Sequence, residues 1–397
     1  MTEAARERVL TDDGEVRELG DALRGAGAFV VDLEFVSESR YVPEVCLVQV
    51  AWGEPEAPEI AAVDPLAADP RPVLELVADP DVETVFHAAQ GDLALLSRRF
   101  GLAGRNVYDT QIAAAFLGLG DQIGYGGLVA SLLRVELDKG AQFTDWCRRP
   151  LSPEQLRYAF DDVRYLIALW PLLRRRLEEG GRLAWVEEET ERLAATAATR
   201  TPPLEMFRRV KGWGRLRGKA LGALQGLAAW REETALAENR PPSWILQDRS
   251  LLEIARRSPA HERELAAIRG VKDGTVHRHG REILQAVREG ARGRPESGPR
   301  ERPLPDKARG WSVLLGGLVT ARAKEAGIAP RFVATRDDVE ALVRWWLEGD
   351  RSREPELAVL GGWRRELAGE ALLAWLSGET TIAIDEGSEA GIKLAET

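Results

Sequence analysis

Cysteine is almost absent: Cys46 and Cys147 are the only two in 397 residues. Neither stands in a C-x-x-C pair, which argues against a zinc knuckle, and two cysteines do not suggest a disulfide framework. Cys46 lies in an apolar stretch and reads as ordinary core, in keeping with a reducing compartment. Long apolar runs are also missing, so no segment reads as a membrane span. The first residues (MTEAARERVLTDDGE) are charged and contain no hydrophobic signal segment. No G-x-x-x-x-G-K-[ST] loop occurs, which excludes a helicase motor. These absences lead to the expectation of a cytoplasmic protein with no membrane partner.

Charge is present but uneven. The net charge is −10, which taken alone disfavours a nucleic-acid partner. Residues 1–199 carry −15, residues 200–310 carry +10 and residues 311–397 carry −5. An acidic block followed by a basic one suggests division of labour, with the basic block able to attract a polyanion. Arg215, Arg217 and Lys219 cluster at the start of a helical pattern in that block. Trp213 and Trp244 read as core anchors rather than stacking platforms.

The pattern along the chain changes once. Strands are expected at 28–35, 45–52, 60–64 and 82–86, the first two joined by a hairpin-like loop at 37–44. Helices are expected at 91–100, 109–117, 125–133 and 152–179. The last opens with Ser152-Pro153-Glu154, a capping residue followed by proline in the first turn. Strand signals vanish after Thr201-Pro202-Pro203, and residues 215–239 read as an amphipathic helix. The expected division is 1–200 for an α/β domain, 205–290 and 306–378 for two all-α domains, and 291–305 for a Gly/Pro/Arg-rich linker. The acidic tail 379–397 is expected to be disordered.

The chemistry is concentrated in three acidic segments. VVDLEF places Asp32 and Glu34 on one face of an apolar strand, while Val31, Leu33 and Phe35 take the other. Two like charges so close repel, and burial adds to the cost. Either the strand edge is solvated or a cation neutralises the pair. VFHAAQGDLALL carries Asp92 near a helix start, and YAFDDVRYL puts Tyr158 and Asp162 four residues apart on one helical face. Together Asp32, Glu34, Asp92 and Asp162 could hold two divalent ions, with Mg²⁺ or Mn²⁺ suited to oxygen ligands. Such a pair clamps the attacking and leaving oxygens of a phosphodiester. The Tyr158 hydroxyl can then hold the attacking water in line.

These segments resemble the three motifs of the DEDD exonucleases. The Y-x-x-x-D form of the third matches the tyrosine subgroup; the histidine subgroup would have His where Arg157 stands. DPL at 64–66, YDTQIAAAF at 108–116, LDKGAQFTDW at 137–146 and RPL at 149–151 resemble bacterial ribonuclease D. The segment from Val210 to about Gly290 resembles an HRDC domain, and 361–376 resembles the end of a second, more divergent one. The resemblance departs from the common D-T-E at Leu33 and in the extra acidic tail.

What the resemblance implies is a ribonuclease H-like mixed sheet with flanking helices, followed by two HRDC-type domains. It implies a monomeric, metal-dependent 3′→5′ exoribonuclease that releases nucleoside 5′-monophosphates. The implied partners are tRNA precursors, other small structured RNAs and single-stranded 3′ ends. It also makes Leu33 and His87 candidates for touching the terminal nucleotide, with Phe35 favoured as core and His87 as a structural hydrogen-bonding residue. Two alternatives stay open at this point: the same chemistry on DNA, and an inactive RNA-binding scaffold.

Overall fold

The structure is a computed structural model and describes residues 7–138, 140–141, 144–293 and 304–397. Among these, six strands form one mixed sheet: β1 (Glu7–Leu10), β2 (Ala28–Val36), β3 (Glu44–Trp52), β4 (Glu59–Val63), β5 (Glu83–Phe86) and β6 (Val107–Asp109). Their spatial order is β1-β4-β3-β2-β5-β6. The β2–β3–β4 meander is antiparallel, while β1, β5 and β6 join in parallel. The four expected strands are present; β1 and β6 are short additions at the two edges.

Alternation along β2 and β3 feeds two cores. Val30, Ala51, Ala62 and Val85 pack on one face with Val163, Leu166 and Ile167 of the helix Pro153–Glu179. Val31, Leu33, Val48, Val50 and Val63 pack on the other with Leu19, Leu23, Leu93 and Leu96. The long helix starts where expected. Ser152 accepts from the Gln155 N–H at 3.2 Å, and Gln155 Oε1 accepts from the Ser152 N–H at 2.9 Å. A helix at Asp13–Ala26 had no counterpart in the sequence reading. Asp12 caps it, accepting from the Gly14 N–H at 2.8 Å, and Gly27 ends it at φ 72°.

The first helical module centres on the helix Gly218–Ala237. It is less amphipathic than expected: residues 221–225 are buried in succession, so it runs through the middle of its module. The helix Asp273–Arg292 crosses it closely at two glycines. A Cβ on Gly222 would lie 2.2 Å from the Gly290 carbonyl oxygen. Trp213 packs edge-on against Phe207, ring centroids 5.1 Å apart, as a core anchor should. Trp244 does not: it is 56 % exposed, because it sits on a short turn, Pro242–Ile245, at the module's surface.

The second helical module packs directly on helices of the α/β domain. Trp363 stacks on Trp185 at 4.9 Å and meets Phe116 edge-on at 5.3 Å. Arg364, buried here, pairs with Glu188 at 2.7 Å and with the buried Glu189. Its core is continuous with that of the sheet face beneath the long helix.

Two further expectations are overturned. The tail is not disordered: β7 (Thr380–Ile384) and β8 (Ile392–Glu396) form an antiparallel hairpin. Ile382, Ile392 and Leu394 lean on the core, which supplies the burial that composition alone did not suggest. Cys46 is not a plain core thiol either. It is bonded to Cys147, 101 residues away, with 5.1 Å between Cα atoms. Part of the expected linker, 294–303, lies outside the described residues, as do Lys139, Gln142 and Phe143 of the LDKGAQFTDW segment. No helix among the described residues is long and apolar enough to cross a membrane.

Candidate active site

β2 delivers the first two acids. Asp32 and Glu34 oppose Gln49 and Leu47 of β3, on the face covered by the long helix. The register shifts between Glu34 and Phe35, a bulge that ends regular pairing beside the acids. Gln49 is fully buried opposite Asp32, and neither end of its amide has a hydrogen-bond partner.

The long helix delivers the third acid and the phenol. One ligand oxygen each from Asp32, Glu34 and Asp162 falls within 4.8 Å of the others. Asp161, the neighbouring acid, is engaged elsewhere: Arg164 Nε lies 3.2 Å from its carboxylate. The backbone carbonyl of Asp161 accepts from the Tyr125 hydroxyl at 2.8 Å. Helical spacing thus separates two adjacent aspartates into one ion-paired acid and one site acid. Tyr158 stands one turn before Asp162, its ring 5.9 Å from that of Trp146.

Asp92 comes from the first turn of the helix Gln90–Phe100, which follows β5. It is outside the tight trio but close enough to raise the proton affinity of Glu34. The four carboxyls titrate as a set. Burial, then the charges of Asp32 and Asp92, push Glu34 up to about 9. Burial, then Asp32, Glu34 and Asp161, push Asp162 up to about 9. Burial raises Asp32 to about 6. Burial and Asp32 also raise Asp92. Tyr158 is raised by burial and by Asp162, Glu34 and Asp32, so it stays a neutral phenol throughout the physiological range. A half-buried set of carboxylates this reluctant to ionise is suited to a hard divalent cation, and its donors are all oxygen. The residues fit the ions the sequence suggested.

A cavity of about 270 Å³ opens over the site, lined by Asp32, His87, Tyr125, Leu137, Tyr158 and Asp162 among others. His87 belongs to its wall, with both ring nitrogens held: Nδ1 is 3.0 Å from Thr110 Oγ1, and Nε2 is 3.1 Å from the Ile123 carbonyl. That matches the structural role favoured for it. Leu33 is corrected. It is 4 % exposed in the opposite core, because strand alternation turns it away from the cavity. Phe35 packs against the same core. Arg215, Arg217 and Lys219 are exposed and lie outside the cavity lining. The Arg217 guanidinium turns back to the Gly214 carbonyl and to that of Leu216 at 2.7 Å.

The DPL and RPL segments, far apart in sequence, meet in the fold. Arg149 grips Asp64 with two nitrogens, at 2.5 and 2.6 Å, and the Cys46 carbonyl at 2.6 Å. With the Cys46–Cys147 bond, this fastens the segment carrying Trp146, and hence the support behind Tyr158, to β3 and β4. A lone Arg-Pro and a lone Asp-Pro offered no signal that they meet in space.

The chain is similar over nearly its whole length to known proteins. A family model described as 3'-5' exonuclease matches residues 8–178, and one described as HRDC domain matches 220–287. Ribonuclease D of Granulibacter bethesdensis is 38 % identical over 385 residues, 95 % of this chain and 94 % of that protein. The chain belongs to the ribonuclease D family. Ribonuclease D of Gluconacetobacter diazotrophicus is 39 % identical with the same coverage. The crystal structure of Escherichia coli ribonuclease D, described as an exoribonuclease involved in structured RNA processing, superposes with a TM-score of 0.82. It is 28 % identical, over 94 % of this chain and 99 % of that one. The present chain is accordingly a 3′→5′ exoribonuclease of the ribonuclease D type.

Proposed function

We propose that this exoribonuclease trims the 3′ ends of tRNA precursors and other small structured RNAs, releasing nucleoside 5′-monophosphates. Asp32, Glu34, Asp92 and Asp162 hold two divalent ions, Mg²⁺ or Mn²⁺. When bound, such ions offset phosphodiester charge and lower the pKa of water. The observation that carries the reading is the convergence of three carboxylates with raised proton affinity beside a neutral phenol.

The chain's own residues do the rest. Tyr158 keeps its proton at working pH, so it orients the attacking water by hydrogen bonding and does not act as the base. Trp146 packs against its ring and limits how the side chain can turn. His87, with both nitrogens occupied, shapes the wall against which the terminal nucleotide lies. An unpaired 3′ end is the expected occupant of this cavity, because sequence-tolerant RNA recognition targets splayed single strands.

The basic block 200–310 docks the RNA body through phosphate contacts, Arg215 and Lys219 among them. The second helical module is an HRDC-like partner to the first. The enzyme works as a monomer. A time course on a tRNA precursor labelled at its 3′ end, beside an internally labelled one and a DNA oligonucleotide, tests the proposal. Early loss of the 3′ label as mononucleotide, dependent on Mg²⁺ or Mn²⁺ and absent on DNA, is expected. Internal cuts, or equal rates on DNA, would refute it.

A further inference from the structure

Asp109 ends β6 and caps the short helix Thr110–Phe116. Its side chain is buried, 1 % exposed, and is met by backbone N–H groups. Oδ1 accepts from Gln111 at 2.8 Å and Ile112 at 3.3 Å, the ordinary cap of its own helix. Oδ1 also accepts from Ala88 at 3.1 Å, and Oδ2 from Ala89 at 2.9 Å. Those donors belong to another segment, the turn between β5 and the helix that carries Asp92. Thr110 adds a second grip, donating to the Phe86 carbonyl at 3.0 Å.

That turn is strained. Ala88 has φ 61°, a left-handed conformation that costs a non-glycine residue about 1 kcal/mol. Ala89 precedes the helix Gln90–Phe100 and has no side-chain cap to offer it. Local sequence therefore does not set where this helix begins. The parallel pairing of Phe86 with Asp109 brings the carboxylate to the turn from the neighbouring strand. Three residues beyond Ala89, Asp92 faces the site acids.

We infer that Asp109 is a positioning residue for Asp92: it holds the strained Ala88-Ala89 turn and thereby fixes the fourth carboxylate relative to the other three. The inference rests on the reading of Asp92 as a metal ligand. Asp109→Ser is the informative variant, because serine still caps the helix Thr110–Phe116 but is too short to serve the turn as well. In the full-length protein without RNA, calorimetric titration with Mn²⁺ should show an affinity roughly tenfold weaker, the usual effect of losing a supporting hydrogen-bond partner. The double variant with Asp92→Asn should bind Mn²⁺ no more weakly than Asp92→Asn alone. Ala88→Gly, which relieves the left-handed strain, should recover part of the loss.

Wild-type Mn²⁺ affinity in Asp109→Ser, or a further loss in the double variant, would overturn the inference while leaving Asp92 a ligand. Wild-type affinity in Asp92→Asn would remove both. If Asp109→Ser does not fold, Asp109→Asn serves in its place: it turns an N–H donor toward either the turn or the helix cap, and the same weakening is expected.

Discussion

Replacing Asp162 by Asn should stabilise the metal-free enzyme while stopping cleavage. Burial and the facing charges of Asp32 and Glu34 hold the Asp162 carboxyl at about 9, against an ordinary 3.8. A group whose folded value is raised contributes stability below its unfolded value and loses it as pH climbs through the folded one. Asp32, at about 6, and Glu34, at about 9, act in the same direction. The metal-free protein should therefore lose stability steadily between about pH 4 and pH 9. Each tenfold change in proton affinity is worth about 1.4 kcal/mol. With screening by solvent in the open cavity, on the order of 2 kcal/mol remains at pH 8.5. For a unit of this size that is a rise in Tm of roughly 4–8 °C. Scanning calorimetry in EDTA at pH 8.5 and pH 5.5 measures it, and the gain at pH 5.5 should be about a third as large. Mg²⁺ should raise the wild-type Tm at pH 8.5 and have little effect on the variant. An unchanged or lowered Tm for Asp162→Asn at pH 8.5, or equal gains at both pH values, would refute the reasoning.

Three further outcomes follow from other parts of the molecule. Tyr158→Phe should lower kcat by about 100-fold while Mn²⁺ affinity stays unchanged, measured by single-turnover hydrolysis and calorimetry; a wild-type kcat would remove the phenol from the mechanism. Gly222→Ala places a methyl 2.2 Å from the Gly290 carbonyl and should destabilise the first helical module by about 1–3 kcal/mol in urea unfolding. Its rate on a short oligonucleotide should hold while that on a structured precursor falls. Arg364→Ala leaves Glu189, which is 2 % exposed, with Arg192 at 2.5 Å as its remaining cation, and should cost about 1.5–3 kcal/mol in the same assay. A smaller loss would mean that the second module is not anchored through this pair.

The site was legible because its signals are local. Asp32 and Glu34 interrupt an apolar strand, and Tyr158 and Asp162 share a helical face, so each position follows from periodicity. β1 and β6 were not legible, since four and three residues carry too little alternation to stand out. The Asp13–Ala26 helix does carry a signal: Asp12 ahead of an acidic first turn is a capping pattern. The tail offered one as well, in Thr381-Ile382-Ala383-Ile384 set against Ile392-Lys393-Leu394 across a turn with Gly387. Its acidic composition masks that alternation. The Cys46–Cys147 bond and the Arg149–Asp64 grip belong to a different class. They join residues 101 and 85 apart, and only the fold brings them together. Leu33 failed for the reverse reason: strand alternation had already turned it from the site, and analogy with other exonucleases argued against the geometry.

Crystals grown with Mn²⁺ and measured at the manganese absorption edge address the carboxylate centre most directly. The account predicts anomalous peaks within coordination distance of Asp32, Glu34 and Asp162, with Asp92 drawn onto one of them. Peaks confined to other acidic residues, or none at this cavity in saturating Mn²⁺, would contradict it.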